Sequence, residues 1–304
     1  MFKLIYSIFV ILISLIFVFI VLILKRKSSE RKMPVSDVKA DPPEGLNPQV
    51  LTYLYMDRVK NEYMNSIMLN LVKKGYLKIE ETSLRDSQTN SKNYRITKLK
   101  EYNDGDKNEE LYLKELIQYG FNKVSVSSSD LYGNLGTTTS EIKKNISNEY
   151  KDKIFEPLMS SIFKFIVIMI SIIVLLIFVI PLIIPFKIMN IISGIIGIAS
   201  IGAIAYFGKD IKERTGYGNK ILEEIECFKK FIEKAEKEQL DNLLVENPNC
   251  FYDILPYAFA LGISDKWIEK FNDISFQKPD WFESQNEFKL QNIKEFVDFL
   301  KNLK

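Results

Sequence analysis

Three long apolar blocks without charge interrupt an otherwise highly charged chain. They cover residues 4–24, 165–186 and 188–208. An α-helix of about 20 residues is roughly 30 Å long, the thickness of the hydrocarbon core of a bilayer. A buried helix of a soluble protein seldom stays uncharged over such a length. The pattern therefore predicts three transmembrane helices, a signal anchor over residues 1–25 and a helical hairpin over residues 162–208.

Basic residues beside these blocks predict the orientation of the chain. The first block runs directly into Lys25-Arg26-Lys27, which favours an uncleaved anchor over a cleaved signal peptide. Further basic residues follow the third block, whereas the tip of the hairpin offers only Lys187. Basic residues concentrate on the cytoplasmic side of membrane proteins. We therefore predict a multi-pass protein of the cell membrane with its N-terminus outside and its C-terminus in the cytoplasm.

Small residues recur at steps of four in the third block, where Ser193 precedes Gly197 and Ala199 precedes Ala203. This spacing lets two helix backbones approach closely. It favours packing of the hairpin on itself or on the first block. The alternative is a homo-oligomer formed through the hairpin.

A linker over residues 26–45 leads into a small α+β module over residues 46–157. Asn47-Pro48 is typical of a helix start and Gly75 of a helix end. The pattern predicts a helix over 61–74, strands over 76–80 and 94–100, and a long polar turn between the strands. Helix, helix, strand, long turn and strand is the element order of a winged-helix unit.

Winged helices often bind DNA, but the second helix has few cations for that task. Lys73 and Lys74 lie only at its end, and the module is near neutral. Phosphate contacts dominate the affinity of such proteins and require several basic residues on one face. We therefore expect nucleic acid not to be a partner, and a membrane-tethered DNA-binding regulator remains the alternative.

Two helical regions complete the chain, a module over residues 209–275 and an amphipathic C-terminal helix over residues 276–304. In the module, apolar positions from Ile221 to Ala235 alternate steps of four and three, which is typical of packing against other helices. The C-terminal helix is expected to dock on the cytoplasmic module. The alternative is a helix lying on the anionic inner leaflet.

Candidate chemistry is sparse. The absence of histidine excludes Ser-His and Cys-His nucleophile pairs and His-ligated zinc. Asp104, Asp106, Asn108 and Glu115 match ligand positions of a calcium loop, but Glu109 replaces its essential glycine. A solvated turn before a helix explains these residues better. We predict no catalytic residue, no metal ligand and no cofactor, and hence a protein that is not an enzyme.

Two weaker signals have simple structural interpretations. Gly216-Tyr217-Gly218 follows no predicted strand, so a flexible segment is favoured over a phosphate loop. Cys227 and Cys250 belong to no metal-ligand pattern and are interpreted as reduced core residues.

Three segments resemble one known family. They are Leu255-Pro256-Tyr257-Ala258-Phe259-Ala260-Leu261-Gly262 followed by Trp267 and Phe271, Pro42-Pro43-Glu44-Gly45-Leu46, and Leu71-Val72-Lys73-Lys74-Gly75-Tyr76-Leu77-Lys78-Ile79-Glu80-Glu81. Together they resemble the YciQ-like predicted bacterial membrane proteins, called domain of unknown function 2207, over residues 40–271. The resemblance implies the transmembrane and cytoplasmic part only, without the N-terminal extracytoplasmic domain that members usually carry. It implies no established activity.

Taken together, these patterns predict a mainly α membrane protein. It has three transmembrane helices, a small α+β winged-helix-like cytoplasmic module and a helical C-terminal cytoplasmic module. The expected function is a non-enzymatic scaffold or adaptor at the cytoplasmic face, with the lipid bilayer and a protein partner or a second copy as its partners. The alternatives are the DNA-binding regulator and an accessory subunit of a transporter.

Overall fold

The computed structural model describes residues 2–29, 39–43, 45–58, 60–85, 92–120, 122–157, 161, 164–172, 189–208 and 212–303. The chain divides into two compact units. Unit 1 comprises Met1–Pro34 and Asp152–Asn219, and unit 2 comprises Val35–Lys151 and Lys220–Lys304. Its helices are α1 (Phe2–Ser29), α2 (Pro48–Met56), α3 (Asn61–Met64), α4 (Ser66–Lys73), α5 (Lys107–Gln118), α6 (Gly136–Ile154), α7 (Met189–Gly208), α8 (Gly216–Lys234), α9 (Lys237–Glu246), α10 (Cys250–Ala260), α11 (Ser264–Glu269) and α12 (Leu290–Asn302). The strands are β1 (Leu77–Arg85), β2 (Lys92–Lys98), β3 (Ser125–Ser127) and β4 (Phe282–Glu283).

Unit 1 is built around α1, α7 and a helical segment at residues 164–172. Its core consists of Val21, Val167, Ile170 and Ile204, which come from all three helices. Val167 also lies against Gly208, where an added Cβ would meet it at 2.7 Å. The last residue of α7 is thus a glycine at the point where Val167 packs against it.

The prediction of three transmembrane helices is wrong. Within the described part of the chain, no helix combines the length and the apolar character that crossing a membrane requires.

Some expectations fall outside the described residues. The rest of the second block and the tip with Lys187 lie within residues 173–188, and the middle of the long polar turn lies at residues 86–91. The small-residue seam falls within α7. There, the core contacts with α1 come from Ile201, Ile204 and Phe207, whereas Ala199 is exposed.

The sheet of unit 2 corrects the winged-helix interpretation. Its strand order is β3-β2-β1-β4, with β1 antiparallel to β2, β2 antiparallel to β3, and β1 parallel to β4. The two strands expected for a wing are therefore the centre of a four-stranded mixed sheet. The fourth strand comes from the C-terminal part of the chain, where Ile79 N donates to Trp281 O at 2.7 Å. A hydrophobic alternation identifies strands but not a partner some 200 residues away.

Local start and stop signals were predicted correctly. Asn47 precedes α2, whose first residue is Pro48, and Gly75 follows α4 with a φ of 73°. Gly262 follows α10 with a φ of 72°. Glycine adopts this left-handed backbone at little cost, which is why it ends both helices. The helix expected over 61–74 is broken at Asn65 into α3 and α4.

The C-terminal helix α12 docks on unit 2. Its apolar face, formed by Ile293, Phe296, Val297, Leu300 and Leu303, is at most 3% exposed. Asn65 Nδ2 donates to Leu300 O at 2.8 Å and to Leu303 O at 2.9 Å, which pairs carbonyls that a helix end leaves open. The break between α3 and α4 therefore lies at the residue that holds the end of α12.

Candidate functional site

A buried polar network in unit 2 brings several ionisable side chains together. At its centre Glu109, in the first turn of α5, is fully buried. Its carboxylate accepts hydrogen bonds from Lys74 Nζ at 2.6 Å, Asn70 Nδ2 at 2.7 Å and Tyr102 OH at 2.8 Å. Burying a carboxylate is costly unless it is paired and hydrogen-bonded, and these three donors meet that requirement.

A second carboxylate joins the network through Lys74 and Tyr76. Asp104 accepts a hydrogen bond from Tyr76 OH at 2.6 Å and lies 3.4 Å from Lys74 Nζ. The ammonium of Lys100 lies 4.3 Å from the centre of the Tyr76 ring, within the range of a cation–π contact. Two lysines and two carboxylates are thus held between α4, α5 and the loop after β2.

The pKa values follow from this pairing. The hydrogen bond from Tyr76, assisted by the charge of Lys74, lowers the pKa of Asp104 below its ordinary 3.8. Burial alone would lower the pKa of Lys74, but the hydrogen bond and charge of Glu109, with those of Asp104, raise it above 10.5. Burial and the bond to Glu109 raise the pKa of Tyr102. All these shifts favour the paired forms, so the network has the character of a structural cross-link.

The calcium-loop residues take other roles. Asp106 caps α5, its Oδ1 accepting from Asn108 N at 2.8 Å and from Glu109 N at 3.0 Å. Asn108 is buried and Asp104 is engaged by Lys74, while Glu115 lies further along α5. Across the residues described here, no cluster of three or more Cys, Asp or Glu side chains is arranged to hold a metal ion. A turn followed by a helix is what the structure has at this position.

The role of Glu109 was missed at the level of sequence. A glutamate near a helix start is normally interpreted as a solvated residue that favours the positive end of the helix dipole. A signal was nevertheless present, because Glu109 lies at steps of three, four and seven from Tyr112, Leu113 and Leu116. These three residues form the buried face of α5. A charged residue at the first position of a buried helix face is a candidate for burial beside a group of opposite charge.

The other candidates also have structural roles. Gly216 and Gly218 begin α8 rather than forming a flexible segment, and a Cβ on Gly218 would meet Ile154 O at 2.4 Å. Cys227 and Cys250 are buried free thiols, as expected. Burial raises the pKa of Cys250 to about 11, which disfavours the reactive thiolate.

The helix α9 presents the most exposed large apolar side chain in the described chain. Val245 is 84% exposed, and Leu243 and Leu244 beside it are half-buried. Only Leu240 of this helix is buried. Interaction surfaces are often marked by such contiguous apolar residues, whereas single exposed ones are common on any protein.

Unit 1 exposes apolar side chains on every one of its three helices. Examples are Phe9 at 59%, Phe19 at 63%, Phe165 at 64%, Ile195 at 64% and Ile198 at 75% exposure. Soluble monomers seldom expose contiguous apolar patches this rich, and such patches mark protein or membrane contacts.

Cations of unit 1 lie over aromatic rings. The Lys25 ammonium is 5.1 Å from the centre of the Phe207 ring, and the Lys212 ammonium is 4.6 Å from that of Phe155. The Arg214 guanidinium lies 5.4 Å from the same Phe155 ring. Aromatic rings near lysine and arginine are typical of membrane interfaces.

Several residues that carried the family resemblance lie in the core of unit 2. Leu255 to Ala260 form the end of α10, and Trp267 Nε1 donates to Phe251 O at 3.0 Å. No curated protein and no solved structure matches the chain. Residues 36–271, more than half of the sequence, match the family described as Predicted membrane protein (DUF2207) C-terminal domain. The resemblance is thereby confirmed, and the chain belongs to this family of predicted membrane proteins.

Proposed function

We propose that the protein is a non-enzymatic scaffold or adaptor that works at a lipid bilayer and presents unit 2 to protein partners. The observation that carries the proposal is the exposed apolar surface of unit 1, from Phe9 to Ile198. Removing apolar surface from water is favourable by about 25 cal/mol per Å², so this surface favours contact with lipid. Membership in a family of predicted membrane proteins supports the same location.

The non-enzymatic part of the proposal is supported by the network around Glu109. Each carboxylate there has a donor or a cation within 3.4 Å, and Glu109 itself is fully buried. A general acid or base must reach its substrate within hydrogen-bonding distance. A charge buried among its own partners is suited to holding helices together instead.

The orientation remains part of the proposal. We propose that unit 2 lies on the cytoplasmic side, because the basic residues near Lys25 and Lys212 favour the inner face. The proposed orientation does not include a multi-pass topology, because that topology requires the three predicted transmembrane helices. Labelling of a cysteine introduced at exposed Lys144 in intact cells and in broken cells tests the side, with reaction expected only after the membrane is opened.

We propose α9 as the contact for a protein partner. Val245 is the natural position to test, since it is 84% exposed and a partner that covers it would remove its apolar surface from water. In native membranes, a photo-crosslinking amino acid at position 245 should give a discrete adduct, and one at exposed Lys144 should give none. The mass of the adduct separates a partner protein from a second copy of the chain.

The matched loss-of-function variant is Val245→Lys. It should lower recovery of the adduct partner by about fivefold, which corresponds to about 1 kcal/mol. Because Val245 is 84% exposed, the folding of unit 2 should not change. Equal adducts at positions 245 and 144, or unchanged recovery with Val245→Lys, would refute the role of α9.

The DNA-binding alternative loses its main support in unit 2. Every residue of α4 from Ser66 to Val72 is buried, and Asn70 is engaged by Glu109. A recognition helix needs a face free to enter the major groove. The transporter-subunit alternative has no observation of its own in favour of it.

A further inference from the structure

An apolar groove runs along unit 1 between the helical segment 164–172 and α7. Its volume is about 510 Å³, within the usual range of roughly 300–1,000 Å³ for sites that hold small molecules. One face of each helix forms its walls. The main lining residues are Lys164, Ile168, Ile172, Ile201, Ala205 and Gly208.

The groove has only two side chains with polar groups, and they differ in availability. The Ser171 hydroxyl donates to Val167 O at 2.9 Å, so its hydrogen is already used. Lys164 is exposed and makes no hydrogen bond or ion pair with the other described residues. A long apolar groove with a single available ammonium at one end fits a ligand with a long apolar part and an anionic head.

A second cation, Lys25, lies near the same end of the groove. Val167, one turn from Lys164, contacts Gly208, which ends α7. Lys25 lies over the rings of Tyr206 and Phe207, the two residues before Gly208. Within the described residues Lys25 has no carboxylate partner. Lys164 and Lys25 therefore both lie near the end of the groove at Gly208.

We propose that this groove binds an anionic bilayer lipid, with an acyl chain between the two helices and the phosphate of the headgroup at Lys164. The proposal rests on the bilayer location given above. Charge complementarity selects the occupant, because an anionic headgroup can pair with the exposed Lys164 ammonium and a neutral lipid cannot. A soluble anion would leave the apolar walls of the groove exposed to water.

Lipid retention by the full-length chain tests the site. The protein is purified in a neutral detergent, supplied with equal amounts of phosphatidylglycerol and phosphatidylcholine, and examined by native mass spectrometry. We expect phosphatidylglycerol to be retained about fivefold over phosphatidylcholine, the ratio that corresponds to about 1 kcal/mol for one lysine near an anionic headgroup. Equal retention of the two lipids would overturn the proposal.

Three variants locate the bound lipid. Lys164→Glu should abolish the preference for phosphatidylglycerol, while Lys144→Glu, at an exposed lysine of unit 2, should leave it unchanged. Ala205→Phe should lower retention of both lipids, because the new ring fills the groove. Since Lys164 is exposed, its variant also keeps the test valid if Ala205→Phe disturbs folding.

Competition separates a lipid site from a simple anion site. Inorganic phosphate at a large excess should not displace phosphatidylglycerol, because it cannot replace the acyl contacts, and displacement would overturn the proposal. Membrane fractionation distinguishes failure of the lipid-site proposal from failure of the proposed membrane location. A chain that sediments with membranes yet shows no lipid preference lacks only this site, whereas a chain absent from membranes lacks the proposed location.

Discussion

The same types of side chain have opposite surroundings in the two units. Phe296 of unit 2 is fully buried among other aromatic rings, whereas Phe165 of unit 1 is 64% exposed. Lys74 of unit 2 is 2.6 Å from the buried Glu109 carboxylate, whereas Lys212 of unit 1 lies over the ring of Phe155. Unit 2 supplies partners for its own apolar and charged groups. Unit 1 leaves much of its apolar surface to its surroundings.

This difference separates two sources of stability. Unit 2 gains from burial of its own side chains and should keep its fold in any mild solvent. Among its described residues unit 1 has few that are buried, and its exposed apolar surface should depend on lipid or detergent. The two tryptophans, Trp267 and Trp281, both lie in unit 2. Their fluorescence therefore reports unfolding of unit 2 selectively.

Deletion of residues 276–304 should have the largest effect. It removes β4 from the edge of β1 and uncovers the surface beneath the apolar face of α12. Several large buried residues are lost together, each contributing about 3 kcal/mol or more, against a typical total of about 5–15 kcal/mol. The urea-induced change in Trp267 fluorescence should lose its cooperativity. A cooperative transition with an unchanged midpoint would contradict the docking of α12.

A matched pair of phenylalanine substitutions tests the difference between the two units most directly. Phe296→Ala should lower the free energy of unfolding of unit 2 by about 3–5 kcal/mol, because the ring is fully buried. Phe165→Ala in detergent should change the free energy of unfolding of unit 1 by less than about 0.5 kcal/mol. Urea titration of tryptophan fluorescence measures the first effect, and loss of far-ultraviolet circular dichroism in detergent, which includes the helices of unit 1, measures the second. Similar losses in the two variants would show that the two phenylalanine rings contribute equally to the stability of their units.

Glu109→Gln tests the buried network. The variant keeps the shape of the side chain but removes the charge paired with Lys74. The loss should be about 2 kcal/mol, the range for hydrogen bonds to charged groups, since Lys74 is still partly exposed to water. Glu110→Gln, at the exposed neighbouring position, is the control and should be nearly neutral. Equal effects of the two substitutions would argue against a buried charge pair.

Asp104→Asn should have the smallest effect, visible mainly in the pH dependence. The pKa of Asp104 is lowered on folding, so its contribution is present above the unfolded value near 3.8 and is lost as pH falls through the folded value. The variant should flatten the decline of unfolding free energy below pH 4, compared with Asp130→Asn at an exposed position. Lys74 affects stability at alkaline pH. Because its pKa is raised on folding, its contribution is present below about pH 10.5 and is lost as the pH rises through the folded value.

Local features of the fold were within reach of the sequence. Asn47-Pro48 predicted the start of α2, and Gly75 predicted the end of α4. The apolar stripe that begins at Ile221 predicted the buried face of α8. These features depend on backbone preference and on periodicity within one helix, and both are readable from neighbouring residues.

Features that depend on distant residues were not predicted. The break at Asn65 serves α12, which lies more than 200 residues later in the chain. The pairing of Ile79 with Phe282 adds a parallel strand that no short pattern indicates. The prediction of three transmembrane helices is also wrong, since no helix in the described part of the chain has the length and apolar character to cross a membrane.

By itself the sequence determined where several helices of unit 2 begin or end, which of their faces are apolar, and which family the chain resembles. These properties depend on side chains within a few positions of each other. Only the tertiary structure decided that Glu109 is buried, that α12 completes the sheet-bearing unit, and that Lys164 ends an apolar groove. Each of these depends on residues brought together from distant positions, and the free energy of such contacts exists only in the folded chain.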